Sequence, residues 1–137
     1  MTFRRNLEEQ AHLKLVREQD ILIGHKKRLE VLKSERVRII QDLEERKKKR
    51  LQAALFSLYM NSIRSRERDI QVQMTMIESQ KHVVEEARKA LLEKVKERQI
   101  IEKAKERDHQ NFLKEVLKEE LKEHDEMAVL TFGSERV

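Results

Sequence analysis

Cysteine, proline and tryptophan are absent from the 137-residue chain, and glycine occurs only twice. Without cysteine there is no disulfide framework, no thiolate zinc site and no thiol nucleophile, which agrees with a reducing compartment. Without proline, and almost without glycine, little can turn the chain tightly. Aromatics are equally scarce, one tyrosine and four phenylalanines, so the rings that fill most compact cores are missing. A many-turned sheet, barrel or βαβ fold is close to excluded. Long apolar runs are lacking too. The longest are four residues, Ala53–Phe56 and Met127–Leu130. A membrane-spanning helix needs about 20 and the apolar part of a signal peptide about 7–15. The expectation is a soluble chain with no membrane insertion and no standard export signal.

What is present is charge and aliphatic side chains. Asp, Glu, Lys and Arg make up 42% of residues, and the mean hydropathy is −0.81. Charge at that level suggests disorder, but disordered chains are poor in aliphatics and rich in Pro, Gly and Ser. Here 38% of residues are apolar, in the Leu/Ile/Lys/Glu/Arg/Gln background of a long helix or coiled coil. The length suits a single domain, 1–137. Charge is distributed unevenly, with a net +6 over residues 1–50, +2 over 51–100 and −3 over 101–137. In a chain folded back on itself, a basic first arm would lie against a more acidic last arm, which favours antiparallel pairing.

Periodicity decides the fold class. Phe56, Ile63, Ile70, Ile77, Val84 and Leu91 recur at an interval of seven, and the series resumes at Phe112 after Arg98 and Lys105. A strict seven-residue apolar repeat keeps one seam facing a partner helix and implies left-handed supercoiling. In the first half Leu15, Leu22, Leu29 and Leu43 form a similar series, with Leu32 and Ile39 as half-heptad partners. Other partner positions are polar: Glu18, His25 and Arg46 in the first half, Arg66, Gln73 and Gln80 in the second. The pattern predicts an all-α chain, a long antiparallel two-helix coiled-coil hairpin with a shallow seam partly covered by Lys and Arg stems. Arm one spans about 3–50 and arm two about 60–130. The reversal falls within 47–65, where Asn61-Ser62 has the best turn chemistry. Residues 131–137, with Gly133, form a frayed end. Arms of about 60 residues at ~1.5 Å rise each extend roughly 80–90 Å. Gly24 sits inside a helical pattern at a cost of about 1 kcal/mol relative to Ala.

Catalytic chemistry finds no support. Two isolated glycines cannot form a phosphate loop, no nucleophile–His–Asp set stands out, and a two-helix hairpin offers little enclosed pocket. Two E-x-x-H matches, Glu9 to His12 and Glu106 to His109, resemble the helical ligand pair of di-iron bundles. In a chain this acidic about one such match arises by chance, and the further inward Glu residues of a di-iron site are missing. Neither metal nor cofactor is expected. The basic run Arg46–Arg50 and a pI near 9.5 raise nucleic acid as a partner. Yet the basic residues alternate with Glu along most faces and no stacking aromatic set accompanies them, so no nucleic acid is expected. The segment 51–60 is different. Leu55, Phe56, Leu58, Tyr59 and Met60 do not follow one stripe, so a two-helix seam cannot bury all of them. Either they close the hairpin tip or they present an apolar patch to a partner.

The sequence also resembles a known family, the flagellar type III export protein FliJ. The resemblance is carried by VVEEARKALLEKVKERQIIEKAKER (83–107), by NFLKEVLKEELKEHDEMA (111–128), by the Ile70–Gln73–Ile77 spacing and by the opening TFRRNLEEQ. It implies a long antiparallel coiled coil similar to the rotor stalk of F-type ATPases, with no catalytic residues. It implies association with the hexameric export ATPase FliI, with the export gate protein FlhA and with export chaperones, at the cytoplasmic face of the cell membrane at the flagellar base. By this resemblance Phe3, Leu7, Phe112 and Leu113 belong to the arm ends that enter the ATPase ring, and 51–60 to the region near the tip. The alternatives are the stalk of a virulence-type secretion system, the central stalk of a rotary ATPase, a coiled-coil scaffold, and a basic nucleic-acid binder.

Overall fold

The computed structural model describes residues 2–135. They form two helices, α1 over Thr2–Lys47 and α2 over Ala53–Glu135, with no strand among the described residues. Helices this long in water draw their stability from side-chain packing on one face more than from propensity alone. The chain divides into two compact units, Met1–Lys94 and Val95–Val137.

The first unit is an antiparallel two-helix hairpin. Its seam buries Leu15, Leu32 and Leu43 of α1 and Ile63, Ile77, Val84 and Ala87 of α2. Leu22, Leu29, Ile39, Ile70 and Leu91 are half-buried beside them. Leu15, Val84 and Ala87 make one contiguous cluster, against which Leu22 and Leu91 pack. The deepest side chain is Leu32, 2% exposed. A two-helix seam covers each residue from one side only, so burial stays shallow and the flanks remain wet.

Cross-helix partners run in opposite order along the two helices, which fixes the antiparallel sense. Tyr59 bonds Asp42, Glu67 bonds Arg36, Gln73 bonds His25 and Gln80 bonds Glu18. Arg36 reaches Glu67 Oε1 through both Nη2 (3.0 Å) and Nε (3.3 Å). Arg66 Nε lies 2.9 Å from Glu35 Oε2. These exposed pairs contribute about 0–1 kcal/mol each and serve alignment more than stability.

The reversal occupies residues 48–52. Lys49 N–H donates to the Arg46 carbonyl (3.1 Å), and Phe56 N–H donates to the Gln52 carbonyl (3.0 Å), opening α2. Asn61-Ser62, the best turn chemistry in the 47–65 window, lies inside α2. The physical reason is position. Ile63 is a buried seam residue, and a break at 61–62 would remove it and Tyr59 from pairing with α1. The basic run is the real stop signal. Arg46 and Lys47 occupy the last turn of α1, where cations favour the negative end of the helix dipole.

The second unit continues α2. Val95, Arg98, Ile101, Glu102 and Ala104 are half-buried, and every side chain from Lys105 to Gly133 is exposed. Arg98 Nη1 bonds Glu102 Oε1 at 3.1 Å, one helical turn on. Gly133 does not end the helix, which runs through the expected frayed segment to Glu135; the remainder of that segment, 136–137, lies outside the described residues. The acidic stretch adds no side chain to a seam beyond Ala104. Charge complementarity is carried instead by the separate pairs Arg36–Glu67 and Glu35–Arg66 inside the hairpin.

Candidate interaction surfaces

Three groups of side chains stand apart from the apolar seam. The first is the hairpin tip. Leu55, Tyr59 and Met60 are half-buried, Phe56 is exposed, and Leu58 is 63% exposed. The segment therefore divides, with part of it closing the end of the hairpin and part facing solvent. Tyr59 spans the seam, its hydroxyl donating to Asp42 Oδ2 at 2.6 Å. That hydrogen bond, ahead of partial burial, holds the phenol above its usual range; the Asp42 charge adds to the effect and Arg46 opposes it. Arg46 lies 5.9 Å from the Tyr59 ring centre and Lys47 Nζ lies 5.7 Å from that of Phe56. Both rings thus carry a cation from the last turn of α1, which fastens the turn through cation–π attraction.

The second group comprises the residues expected at the arm ends. Phe3, on α1, is 73% exposed, and Leu7 one turn on is half-buried. On the second unit Phe112 is 63% exposed and Leu113 is exposed beside it. Val116, Leu117 and Leu121 extend the apolar surface that Leu113 begins, at spacings of three and four. The heptad series alone does not point to them, because it ends at Phe112; the i, i+4 spacing of Leu113, Leu117 and Leu121 is the signal that finds them. His12 and His109 of the two E-x-x-H segments are both exposed.

The third group consists of two polar rungs within the seam. Gln73 is 7% exposed. Its amide nitrogen donates to the His25 carbonyl (3.0 Å) and lies 3.2 Å from His25 Nδ1. One heptad on, the Gln80 amide nitrogen donates to the Glu18 carbonyl (2.9 Å) and to Glu18 Oε2 (2.7 Å). The two rungs use one arrangement, in which a glutamine NH2 group divides its two protons between a backbone oxygen and a side-chain acceptor across the seam. Sequence reading registers Gln73 and Gln80 as interruptions of the half-heptad series. Their seven-residue separation, matched by that of Glu18 and His25, is the trace that the pairing leaves.

The sequence model of one family, described as Flagellar FliJ protein, matches residues 1–136. The chain belongs to the FliJ family. No match to it is found among curated proteins or among solved structures. FliJ proteins are non-enzymatic cytoplasmic components of the flagellar protein-export apparatus, and membership makes this chain an export-apparatus stalk protein. An antiparallel coiled coil offering exposed side chains for contact suits such a part. No helix among the described residues is long and apolar enough to cross a membrane.

Proposed function

We propose that the protein couples the hexameric export ATPase to the export gate and assists delivery of chaperone-bound substrates, working at the cytoplasmic face of the membrane. In this reading Phe3, Leu7, Phe112 and Leu113 engage the ATPase ring. Leu55, Phe56, Leu58, Tyr59 and Met60 engage the gate protein. The Leu15 to Leu91 seam supports the tip residues.

The observation that carries the reading is the exposure pattern of the FliJ-type chain. Nine large apolar side chains between Phe112 and Phe132 are exposed. Soluble proteins seldom leave such surface unused, and large apolar anchors dominate interface energies. Recognition by apolar anchors also favours a protein partner over nucleic acid, whose binding is led by phosphate charge. The test is affinity purification of the full-length chain from cells that express the export operon. Recovery of the export ATPase as a hexamer, stable at about 0.5 M salt, is the expected result. Recovery of nucleic acid alone, released by salt, would overturn the reading.

A further inference from the structure

The hairpin tip carries a charge anomaly that the gate reading does not use. Between Glu45 and Glu67 the chain has no acidic residue and seven basic ones, Arg46, Lys47, Lys48, Lys49, Arg50, Arg64 and Arg66. Five of them are consecutive and straddle the end of α1 and the turn. Some have structural duties. Arg46 and Lys47 sit over the Tyr59 and Phe56 rings and pair with Asp42 (3.9 Å) and Glu44 (3.4 Å). Lys48 makes only an exposed pair with Glu45 at 3.6 Å. Lys49 and Arg50 lie beyond α1, are exposed, and have no acidic partner among the described residues.

We infer that the turn Lys48–Arg50, with exposed Leu58 in the second turn of α2, is a docking surface for an anionic lipid bilayer. Charge complementarity argues for it. A consecutive basic run in an irregular turn has no fixed fork geometry for a single phosphate or carboxylate, and suits a diffuse negative surface. Leu58 supplies an apolar side chain that enters the headgroup boundary without cost to the seam, since it is already exposed. Nucleic acid fits less well, because base stacking needs free rings and both rings at the tip are occupied by cations. The inference takes from the functional reading only that this end of the hairpin faces the membrane-borne gate.

The test is sedimentation of the full-length protein with vesicles, in the absence of every export component, so that its failure leaves gate binding untouched. Vesicles contain 30% phosphatidylglycerol in phosphatidylcholine, or phosphatidylcholine alone. Binding to the first and not the second is expected, falling steeply with salt. One basic residue near an anionic surface is worth about 1 kcal/mol, or roughly fivefold in affinity. The triple variant Lys48→Glu, Lys49→Glu, Arg50→Glu therefore loses more than about tenfold. The control is Lys26→Glu, Lys27→Glu, Arg28→Glu, an exposed basic triplet within α1 with the same change in net charge, which stays within about threefold. The Gln triple at 48–50 loses in the same direction as the Glu triple, and circular dichroism of all variants matches wild type. Equal losses from the two Glu triples would reduce the effect to net charge and overturn the proposal. So would equal binding to both vesicles, no binding to either, or a loss confined to the Glu triple at 48–50. Tighter binding to a 20-bp duplex, lost in the 48–50 variants, would assign the surface to nucleic acid instead.

Discussion

Gln73 and Gln80 explain how a seam with few buried apolar residues holds one register. Apolar side chains slide past each other at modest cost, whereas a buried amide left without acceptors costs about 1–3 kcal/mol. Both rungs are made at one alignment only, since displacement by a heptad would set one glutamine opposite Ala11 or Leu32 and leave its amide without a side-chain acceptor. Replacing both by Leu removes the desolvation cost along with the bonds. The expected result for Gln73→Leu with Gln80→Leu is a melting temperature equal to or above wild type and a looser register. With no native cysteine, spin labels at introduced Lys27→Cys and Met74→Cys report the register cleanly. Their distance distribution should broaden in the double-Leu background; an unchanged narrow distribution would refute the rungs' role. Tyr59 gives a second residue-scale test because it is the only tyrosine. Its bond to Asp42 needs the phenol proton, and its folded pKa is raised. The bond's contribution is therefore fully present below the ordinary phenol range near 10 and is lost as pH rises through the folded value. Ultraviolet titration should give a midpoint that Asp42→Ala moves downward. Identical midpoints would mean that the bond does not form in solution.

At the scale of elements, the helices were legible by their seams, and their junction only as a window, 47–65, and not as a residue. Leu15, Leu22, Leu29 and Ile63 to Leu91 announce two facing seams through spacing alone, because a coiled coil repeats one local rule along its length. The reversal obeys no such repeat. Asn61-Ser62 carries turn chemistry, yet the pairing of Tyr59 and Ile63 with α1 overrides it, and the turn falls in a basic segment with neither Gly nor Pro. The tip was legible as a cluster that one stripe cannot bury, but its division into exposed Leu58 and cation-covered Phe56 and Tyr59 depends on residues of α1 that only the fold brings near. The polar rungs were visible as exceptions and became interpretable only once their partners faced them. Gly24 makes the opposite point. It lies in mid-helix, and a methyl group added there meets nothing within 4 Å. Gly24→Ala should therefore stabilise the hairpin by about 0.5–1 kcal/mol, read as a higher denaturation midpoint with an unchanged slope. A lower midpoint would indicate a neighbour or bend at Gly24 that this fold does not contain.

At the scale of the whole molecule, the proposed function needs two contact regions that act separately. The hairpin unit has its own seam, so changes to exposed residues of the second unit need not disturb it, whereas Phe56 and Tyr59 also fasten the tip, so helix content must be read alongside binding. Two variants exploit this: one combines Phe56→Ser with Tyr59→Ser, the other lacks residues 108–137. Large apolar anchors are often worth about 2 kcal/mol or more each in an interface, some thirtyfold in affinity. The measurement that bears most directly on the account is a paired pull-down of wild type and both variants against the export ATPase and against the gate's cytoplasmic domain, with circular dichroism on the same samples. The tip variant is expected to keep the ATPase and lose the gate, and the truncated chain to keep the gate and lose the ATPase. Retention of gate binding by a folded tip variant, or of ATPase binding by a folded truncated chain, would contradict the proposed function.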